Sequence, residues 1–280
     1  MPEGITEPGI YPGLSYLEYD RIPAMRNSVL SKFSRMPPAK ARYEMLHPID
    51  SAAFRTGDAL HCAILEPERF AAQFVKQPRF DMRTNRGKAD YAEWIAEHPT
   101  HSPLKADEYD QAIGMRDSVW SHPLASQLLK SVGKNELAIV WRDEKTGILC
   151  KARIDRITSH RDWTIVVDVK TTKSASDHSF SGAMEEYGYA QQAGMYLDGL
   201  SAIDKRDRRW VFLAVEKAPP YLVRLLEPED HDIEEGRRRF HAALQTYHEC
   251  DESGEWPGYA VGLDPINLPP WAYRFIPGGI

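Results

Sequence analysis

The sequence predicts an α/β protein in which a central mixed β-sheet is flanked by helices. Three observations favour this class: apolar residues recur at helical spacing before Gly133, short segments rich in β-branched residues follow it, and helical patterns return afterwards. At 280 residues, with 42% hydrophobic and 27% charged residues, the chain can bury a core of its own. Because it contains no internal repeat and no clear interdomain linker, we expect one domain over residues 1–280.

The first half of the chain is predicted to be irregular and then helical. Residues 1–50 are rich in Pro and Gly and predict an irregular arm with short helical pieces such as 27–35. Residues 51–132 form the predicted helical region. Within it, residues 53–75 predict two short helices that meet at a bend at Pro67.

The rest of that helical region contains a loop and two further helices. Residues 76–88 are polar and basic and predict a loop. Residues 89–98 predict a helix, and residues 106–131 predict a long amphipathic one.

Residues 133–250 are predicted to form the sheet and the helices that cover it. Turn residues separate three segments that look like consecutive antiparallel strands, at 136–142, 148–158 and 163–171. The pattern then predicts a helix over 182–200, a strand pair at 210–216 and 221–226 around Pro219 and Pro220, a helix over 229–250, and an extended or irregular tail over 251–280.

Composition excludes several classes of protein. Cys62, Cys150 and Cys250 lie far apart without a C-x-x-C pair, which argues against a disulfide framework and against an iron–sulfur cluster. No apolar run approaches the roughly 20 residues that span a bilayer, and the N-terminus lacks the charged-then-apolar order of a secretory signal. We therefore expect a cytoplasmic protein without a membrane partner.

The charge distribution leaves nucleic-acid binding open. A net charge of −6 is not that of a strongly basic nucleic-acid-binding domain. The segment 21–43, however, carries basic residues and no acidic one, so it could neutralise phosphates or form a solvated helix face. Its basic residues are Arg21, Arg26, Lys32, Arg35, Lys40 and Arg42.

Two neighbouring predicted strands carry a constellation suited to metal chemistry. Because strand side chains alternate, Asp168 and Lys170 share one face of the third segment, and Asp155 ends the polar face of the second. If the two strands pair through their short turn, Asp155 and Asp168 can approach one cation. Carboxylate oxygens suit Mg²⁺, and a nearby lysine can orient or deprotonate a water. The pattern indicates phosphodiester hydrolysis, although a surface ion pair would explain Asp168 and Lys170 equally well.

Several longer segments carry a resemblance to a known family. They are GDALHCAILEPERF (57–70), ARIDRI (152–157), VVDVKTT (166–172) and YAQQAGMYLDGL (189–200), with the opening GIYPGLSYLEYDRIPAMRNSVLSKF and the tail WPGY followed by LPPWA. With these segments the chain resembles the PD-(D/E)XK nuclease superfamily, in its RecB-like branch and most closely the phage and prophage exonuclease VIII (RecE-type) family. The resemblance covers nearly the whole chain. One departure is that Val167 stands where the superfamily's name has proline, a position that varies in RecB-like members.

The resemblance implies a role for individual residues. It implies that His61, Asp155, Asp168 and the backbone carbonyl of Val169 bind a metal ion, and that Lys170 is the catalytic lysine. Gln192 and Tyr196 fit a Q-x-x-x-Y motif that helps hold the DNA strand in relatives, and their spacing of four places them on one helix face. For the neighbouring Tyr189 we expect a core position.

Four further residues are weaker candidates. Glu136 could reach the metal or one of its waters, or it could be a solvated carboxylate at the end of a strand. Lys151, Arg153 and Lys173 flank the expected site and could contact phosphates, although each could equally be simply exposed.

The resemblance also implies an activity. It implies a restriction-endonuclease-like core and Mg²⁺-dependent exonuclease action on double-stranded DNA ends, with Mn²⁺ as a substitute, in the 5′-to-3′ direction. A single-strand annealing protein as partner and a ring-shaped homotetramer follow from the same resemblance. The alternatives are a RecB-like endonuclease or single-strand exonuclease, and a noncatalytic DNA-binding or assembly protein on the same fold. A small-molecule enzyme finds no support, because the sequence has no Walker-type loop, nucleophile elbow or H-E-x-x-H helix.

Overall fold

A mixed sheet forms the centre of this computed structural model, which describes residues 5–48 and 52–269. Its strand order is β1-β4-β5-β6-β7-β8, and a second small sheet pairs β2 with β3. The predicted mixed sheet is confirmed. The strands are β1 (Gly9–Tyr11), β2 (Phe74–Gln77), β3 (Ser102–Lys105), β4 (Gly133–Arg142), β5 (Leu149–His160), β6 (Trp163–Thr172), β7 (Arg208–Glu216) and β8 (Val223–Leu226).

Helices cover both faces of this sheet, as the sequence predicts for the α/β class. They are α1 (Tyr16–Arg21), α2 (Asn27–Phe33), α3 (Pro38–Leu46), α4 (Ala52–Leu65), α5 (Pro67–Gln73), α6 (Asn85–Glu97), α7 (Ala106–Ser121), α8 (Pro123–Lys130), α9 (Asp177–Tyr187), α10 (Tyr189–Ile203) and α11 (Asp230–Ser253). None of the helices described is long and apolar enough to cross a membrane.

The sheet is antiparallel except for one parallel pair, β6 with β7. Strands that run in the same direction need a crossover connection, and α9 and α10 supply it here. The carboxyl ends of β6 and β7 therefore lie side by side, with Thr172 opposite Glu216.

Two hydrophobic cores pack against the two faces, because the side chains of β6 alternate between them. Val166 joins one core with buried residues of α2, α10 and α11. Val167 and Val169 join the other, with buried residues of α4, α7 and α8. The sheet therefore separates the α10 side from the α4 side, and each side contributes side chains to the site described below.

Two predicted helices are each interrupted. The helix expected over 106–131 is two helices, because Pro123 stands at the first position of α8 and the ring of His122 accepts the Ala125 N–H as its cap. The helix expected over 182–200 is also two, since Gly188 adopts a left-handed conformation with φ of 67° between α9 and α10. Both single-helix predictions were wrong at these breaks.

The N-terminal segment is more regular than the predicted irregular arm. Ser15 and Glu18 form a capping box at the start of α1, which two helices follow. Before it, β1 pairs with β4 and extends the central sheet. This pairing depends on residues more than a hundred positions away, so Pro and Gly content alone did not reveal it.

Two smaller predictions also change. The segment predicted as a loop over 76–88 contains the end of β2 and the start of α6. Helix α11 continues to Ser253, three residues beyond its predicted end, and residues 254–269 have no helix or strand. The rest of the predicted tail, including Pro270 and Pro277, lies outside the described residues.

Candidate metal centre and active site

Three predicted residues come together at one end of the sheet. Ligand atoms of His61, Glu136 and Asp155 all lie within 4.8 Å of one another. His61 Nδ1 lies 3.4 Å from Asp155 Oδ2. An imidazole on α4 and two carboxylates on β4 and β5 therefore form a cluster that could hold a divalent cation.

The cluster includes Glu136 because of the register of two strands. Asn135 pairs with Arg156 and Leu137 pairs with Ile154, which places Glu136 across from Asp155. Glu136 itself has a φ of 50°, a left-handed conformation that costs free energy for a residue with a side chain. With only 15% of its side chain exposed, Glu136 is not the solvated strand-end carboxylate that was the alternative interpretation.

Burial and like charge act together on Glu136. Burial raises the pKa of its carboxyl, the neighbouring Asp155 carboxylate raises this pKa further, and the Arg153 guanidinium acts in the opposite sense. Arg153 Nε lies 2.8 Å from Glu136 Oε2. A divalent cation between the two carboxylates would relieve this repulsion.

Asp155 is positioned by the end of the pairing between β5 and β6. The last paired residues there are Arg156 and Val167. Asp155 is the next residue of β5 beyond this pair, and the N–H of Val169, two residues beyond Val167, donates to Asp155 Oδ2 at 2.8 Å. The carboxylate thus accepts from a strand N–H where the ladder has ended, which fixes its orientation. The metal-binding role of the Val169 carbonyl stays a prediction.

Asp168 and Lys170 form a second group directly behind the first. Lys170 Nζ lies 2.6 Å from Asp168 Oδ2. The side-chain amide of Gln192 bridges them, since its Nε2 donates to Asp168 Oδ1 at 2.9 Å and its Oε1 accepts from Lys170 Nζ at 2.9 Å. Gln192, predicted as a strand-holding residue, thus holds the lysine and the aspartate in position.

Asp168 is the most deeply buried carboxylate of this group, with 2% exposed. Burial raises its pKa, and Lys170 lowers it; the charge of Asp155 raises it again, which shows that the two aspartates lie close enough to interact. Among the described residues, Oδ2 accepts no hydrogen bond of good geometry and has only the ion-pair contact with Lys170. This buried oxygen therefore has unused capacity as an acceptor.

Two tyrosines of α10 complete this side of the site. The ring of Tyr189 lies 4.6 Å from Lys170 Nζ, a cation–π contact, and packs against the core as expected. Tyr196 contacts Trp210 edge to face at 5.9 Å. Burial raises the pKa of Tyr196 well above its usual value, and a side-chain hydrogen bond with Gln192 opposes this rise.

A cavity of about 420 Å³ opens at the cluster of His61, Glu136 and Asp155. His61, Glu136 and Asp155 line it from the sheet and α4, and Gln192 and Tyr196 line it from α10. The cluster is therefore accessible to an ion and to a phosphate, whereas Asp168 lies behind it. The N-terminal segment and the start of α4 contribute Tyr16, Tyr19, Arg26, Asn27, Ser28, Gly57 and Asp58 to the wall, and β5 contributes Arg153.

The donor set fits a divalent cation that prefers oxygen ligands. Carboxylates suit Mg²⁺ and Mn²⁺, and the imidazole of His61 adds one nitrogen ligand of the kind that transition-metal ions take. Asp168 Oδ2, which lies 2.6 Å from Lys170 Nζ, has a second lone pair that could supply a further oxygen ligand. The geometric cluster differs from the predicted ligand set, since it contains Glu136 and lacks Asp168.

Lys151 is neither exposed nor free to contact phosphates, which corrects both interpretations of this residue from the sequence. The residue is 3% exposed, and its ammonium donates to the carbonyls of Tyr19, Asp20 and Ile22 at 2.8–2.9 Å. Burial lowers the pKa of Lys151 to about 8, the Arg26 guanidinium lowers this pKa further, and the Asp20 carboxylate acts in the opposite sense. Lys151 attaches the N-terminal segment to β5.

The other basic residues proposed to contact phosphates lie in different places relative to the site. Arg153 lines the cavity and pairs with Glu136. Lys173 is exposed and lines a different cavity, beyond the carboxyl end of β6. Of the basic segment 21–43, Arg26 lines the site, while Lys32 pairs with Glu44 and Arg42 lies over the ring of Trp256. The segment therefore does not form one continuous phosphate-binding face.

Two residues of the site region escaped the sequence analysis. Asp58 lines the cavity three positions before His61 on α4, so the i, i+3 spacing of an acid and a histidine was the available signal. Arg156, in the same segment as Asp155, is buried and donates to the carbonyls of Leu128 and Ser131 at the end of α8. It stabilises the scaffold as a cation at a helix C-terminus.

A mixed sheet with helices on both faces, and an acidic pair followed by a lysine where two strands separate, define the PDDEXK-like class. A family model described as a PDDEXK-like domain of unknown function (DUF3799) matches residues 28–268. The chain belongs to this family. The superfamily predicted from the sequence is confirmed, whereas the closer resemblance to the exonuclease VIII family stays a prediction.

A solved structure shares this fold at low sequence identity. It is the crystal structure of a "Putative exonuclease" from Eubacterium rectale, with a TM-score of 0.59 and 13% identity, covering 87% of this chain and 91% of that one. A second, of SSO0001, has 18% identity over 68% of this chain and 85% of that one, with a TM-score of 0.28 that is too low to indicate a common architecture. None of the curated proteins compared matches this sequence.

Proposed function

We propose that this protein is a divalent-metal-dependent nuclease that hydrolyses phosphodiester bonds in DNA. One observation carries the proposal: the imidazole and carboxylates of His61, Glu136 and Asp155 lie together in an open cavity. The Asp168–Lys170 pair flanks Val169 on the neighbouring strand, and the Val169 N–H donates to Asp155. A structural ion pair would not require a second carboxylate cluster at its side. A PDDEXK-like fold makes the combination characteristic of nucleases.

Each residue has a separate task in this proposal. His61, Glu136 and Asp155 hold the ion, and Asp168 supplies a further oxygen. A bound Mg²⁺ or Mn²⁺ lowers the pKa of a water and offsets the charge that develops on the phosphate. Lys170 orients that water or stabilises the developing negative charge, and Gln192 keeps the ammonium of Lys170 next to Asp168. Tyr196 and Arg153 contact the DNA strand at the cavity wall.

The finer specificity is also a proposal. We propose digestion of double-stranded DNA from its ends in the 5′-to-3′ direction, for recombination of the phage type. The motif resemblance supports this specificity, as does the name of the Eubacterium rectale protein, "Putative exonuclease". A single-strand annealing protein as partner, a ring-shaped tetramer and a cytoplasmic location belong to the same proposal.

The test is a digestion of end-labelled linear duplex DNA by the purified protein, in Mg²⁺, Mn²⁺, Ca²⁺ or EDTA. We expect cleavage in Mg²⁺ and Mn²⁺ and none in EDTA. Lys170→Ala is expected to lose about 100-fold or more of the cleavage rate while it still binds DNA. Lys205→Ala, an exposed lysine before β7, is the matched control and should cut as the wild type does.

Two outcomes would contradict different parts of the proposal. Cleavage that persists undiminished in Lys170→Ala would exclude the catalytic role of this lysine, and absence of any metal-dependent cleavage would exclude the nuclease. A closed circular duplex in a parallel reaction tests the requirement for an end, since attack on the circle would favour an endonuclease.

A further inference from the structure

A second cavity, of about 750 Å³, is lined by Tyr189, whose ring lies 4.6 Å from Lys170 Nζ. It opens at the carboxyl ends of the parallel strands β6 and β7, an edge at which open α/β sheets bind ligands. The residues used below are Lys173, His178, Glu186, Tyr187, Tyr189 and Lys217. The sequence analysis named Lys173 as a candidate phosphate contact and Tyr189 as a core residue, and the proposed catalytic steps use none of the set.

Two lysines lie side by side at this edge. Thr172 and Glu216 form the last pair of β6 and β7, and the next residues along the two strands are Lys173 and Lys217. The Lys217 N–H donates to the Thr172 carbonyl at 2.9 Å, so the backbone hydrogen bonding between the two strands extends one residue beyond their last pair. Both side chains belong to exposed residues, and within the described chain neither makes a salt bridge. Two ammonium groups that line one cavity and pair with no carboxylate of the described residues suit neighbouring phosphates of one strand.

An exposed aromatic ring lines the same cavity. Tyr187 is 55% exposed, and its ring stacks on Tyr189 with centroids 5.7 Å apart and an interplanar angle of 30°. Tyr189 in turn contacts Lys170 Nζ at 4.6 Å. Two contacts thus connect the exposed ring of Tyr187 with the proposed catalytic lysine.

We propose that this cavity binds an unpaired nucleotide of the strand being cut, with its base stacked on Tyr187 and its flanking phosphates paired with Lys173 and Lys217. The proposal rests on the nuclease function proposed above and identifies the path of the strand past Lys170. A base can stack on an exposed ring only after it leaves the duplex, so the bound segment is single-stranded. His178 adds a donor to the same cavity, and Glu186 is the acidic residue among those lining it.

The first test measures binding of a fluorescein-labelled single-stranded oligothymidylate of about 12 nucleotides, a length that the site sizes of single-strand-binding folds bracket. Fluorescence anisotropy in EDTA separates binding from cleavage. We expect the double variant Lys173→Ala/Lys217→Ala to bind the oligonucleotide more weakly. The slope of log K against log salt should also become shallower by about 1.4, because each phosphate contact on a single strand contributes about 0.7.

The aromatic contact has its own variants. Tyr187→Ala is expected to weaken binding about tenfold or more at each salt concentration, and Tyr187→Phe should retain the wild-type affinity because stacking needs only the ring. Glu186→Gln is expected to tighten binding, since it removes a negative charge beside the phosphates. Lys205→Ala, at the opposite end of β7, is the matched control and should change neither affinity nor salt slope.

The outcomes distinguish this inference from the proposed function. If the wild type cuts duplex DNA but the lysine and Tyr187 variants bind the oligonucleotide unchanged, the strand site is excluded and the nuclease stands. If the wild type binds no oligonucleotide, the strand site is excluded as well. If binding depends on these residues but no metal-dependent cleavage occurs, the cavity remains a single-strand site and the nuclease proposal fails.

Discussion

Glu136 and Asp155 show how much of the site depends on individual backbone positions. The sequence could predict Asp155, because it ends the polar face of a strand in the ARIDRI segment. For Glu136 the sequence left two interpretations, a metal ligand or a solvated carboxylate at the end of a strand. The deciding feature is the φ of 50° at Glu136, where the pairing of β4 with β5 is interrupted although the residues on either side keep their register. A left-handed conformation at a glutamate has no sequence pattern of its own.

The strain and repulsion at Glu136 predict a conflict between stability and metal binding. In EDTA, Glu136→Gln is expected to raise the free energy of unfolding by about 1 kcal/mol, because a buried like charge opposite Asp155 is removed. The same change should weaken Mn²⁺ binding. Urea unfolding and a metal titration measure the two effects.

A matched control for this substitution is Glu227→Gln, which removes an exposed carboxylate paired with Arg209. It should change stability by less than about 0.5 kcal/mol and leave metal binding as it is. Loss of stability in Glu136→Gln without any effect on the metal would show that Glu136 serves the fold alone.

Two neighbouring glutamines on α10 separate catalysis from folding. Gln192 bridges Lys170 and Asp168, whereas Gln191 is buried and contacts Ser34 and Asn27 of the N-terminal segment. Gln192→Leu is expected to lower kcat by about 10- to 100-fold with little effect on unfolding, because the lysine loses its orientation. Gln191→Leu is expected to cost about 1–3 kcal/mol of stability and to leave kcat nearly unchanged.

Cleavage kinetics and thermal unfolding of the two variants provide the comparison. Equal effects of both substitutions on both properties would refute the separation. The family resemblance implied a role for Gln192 through the Q-x-x-x-Y motif. The bridge to Lys170 depends on how α10 packs on β6, which a single sequence does not encode locally.

At the scale of elements, two glycines set the distance between α10 and α11. A Cβ on Gly236 would lie 1.9 Å from the Ala190 carbonyl oxygen, and a Cβ on Gly194 would lie 2.5 Å from the Arg237 nitrogen. The helices can approach this closely only without these side chains. Since α10 carries Gln192 and Tyr196, the contact also positions the site.

Gly236→Ala is therefore expected to destabilise the protein by about 2–4 kcal/mol, as overpacking at a backbone contact does. Gly182→Ala, in α9 with no atom within 4 Å of the added Cβ, should have the opposite sign and stabilise by about 0.5–1 kcal/mol. Urea denaturation measures both. Equal tolerance of the two substitutions would contradict the close packing of α10 on α11.

Element types were more predictable than their interruptions. The β-branched segments between turn residues located β4, β5 and β6 correctly, and the helix at 229–250 is confirmed as α11. The breaks at His122 and Gly188 were missed because an amphipathic pattern continues across them. Pro123 and Gly188 were visible in the sequence, yet each residue also occurs near the ends of a continuous helix. The pattern alone therefore did not decide whether the helix breaks there.

At the scale of the whole molecule, the N-terminal segment completes both the sheet and the cavity. It adds β1 beside β4, and it contributes Tyr16, Tyr19 and Arg26 to the wall of the site. Lys151 attaches it through hydrogen bonds to the carbonyls of Tyr19, Asp20 and Ile22. Such long-range contacts explain why this segment was predicted as an irregular arm.

Lys151→Met should loosen this attachment while the rest of the sheet stays folded. Three carbonyls lose their donor, so amide hydrogen exchange is expected to accelerate at residues 16–25 and much less in β6 and β7. Hydrogen exchange with mass spectrometry measures the difference between segments. Uniform acceleration over the whole chain would indicate global destabilisation instead.

The claim on which the nuclease proposal depends is that His61, Glu136 and Asp155 bind one divalent ion. The most direct measurement is a titration with Mn²⁺ followed by electron paramagnetic resonance, comparing the wild type with Asp155→Asn. Asp162→Asn, an exposed aspartate in the turn between β5 and β6, is the matched control. We predict saturable binding in the wild type and in the control, and at least about tenfold weaker binding in Asp155→Asn. Equal affinity in all three proteins, or no binding in any, would contradict a metal centre at this site.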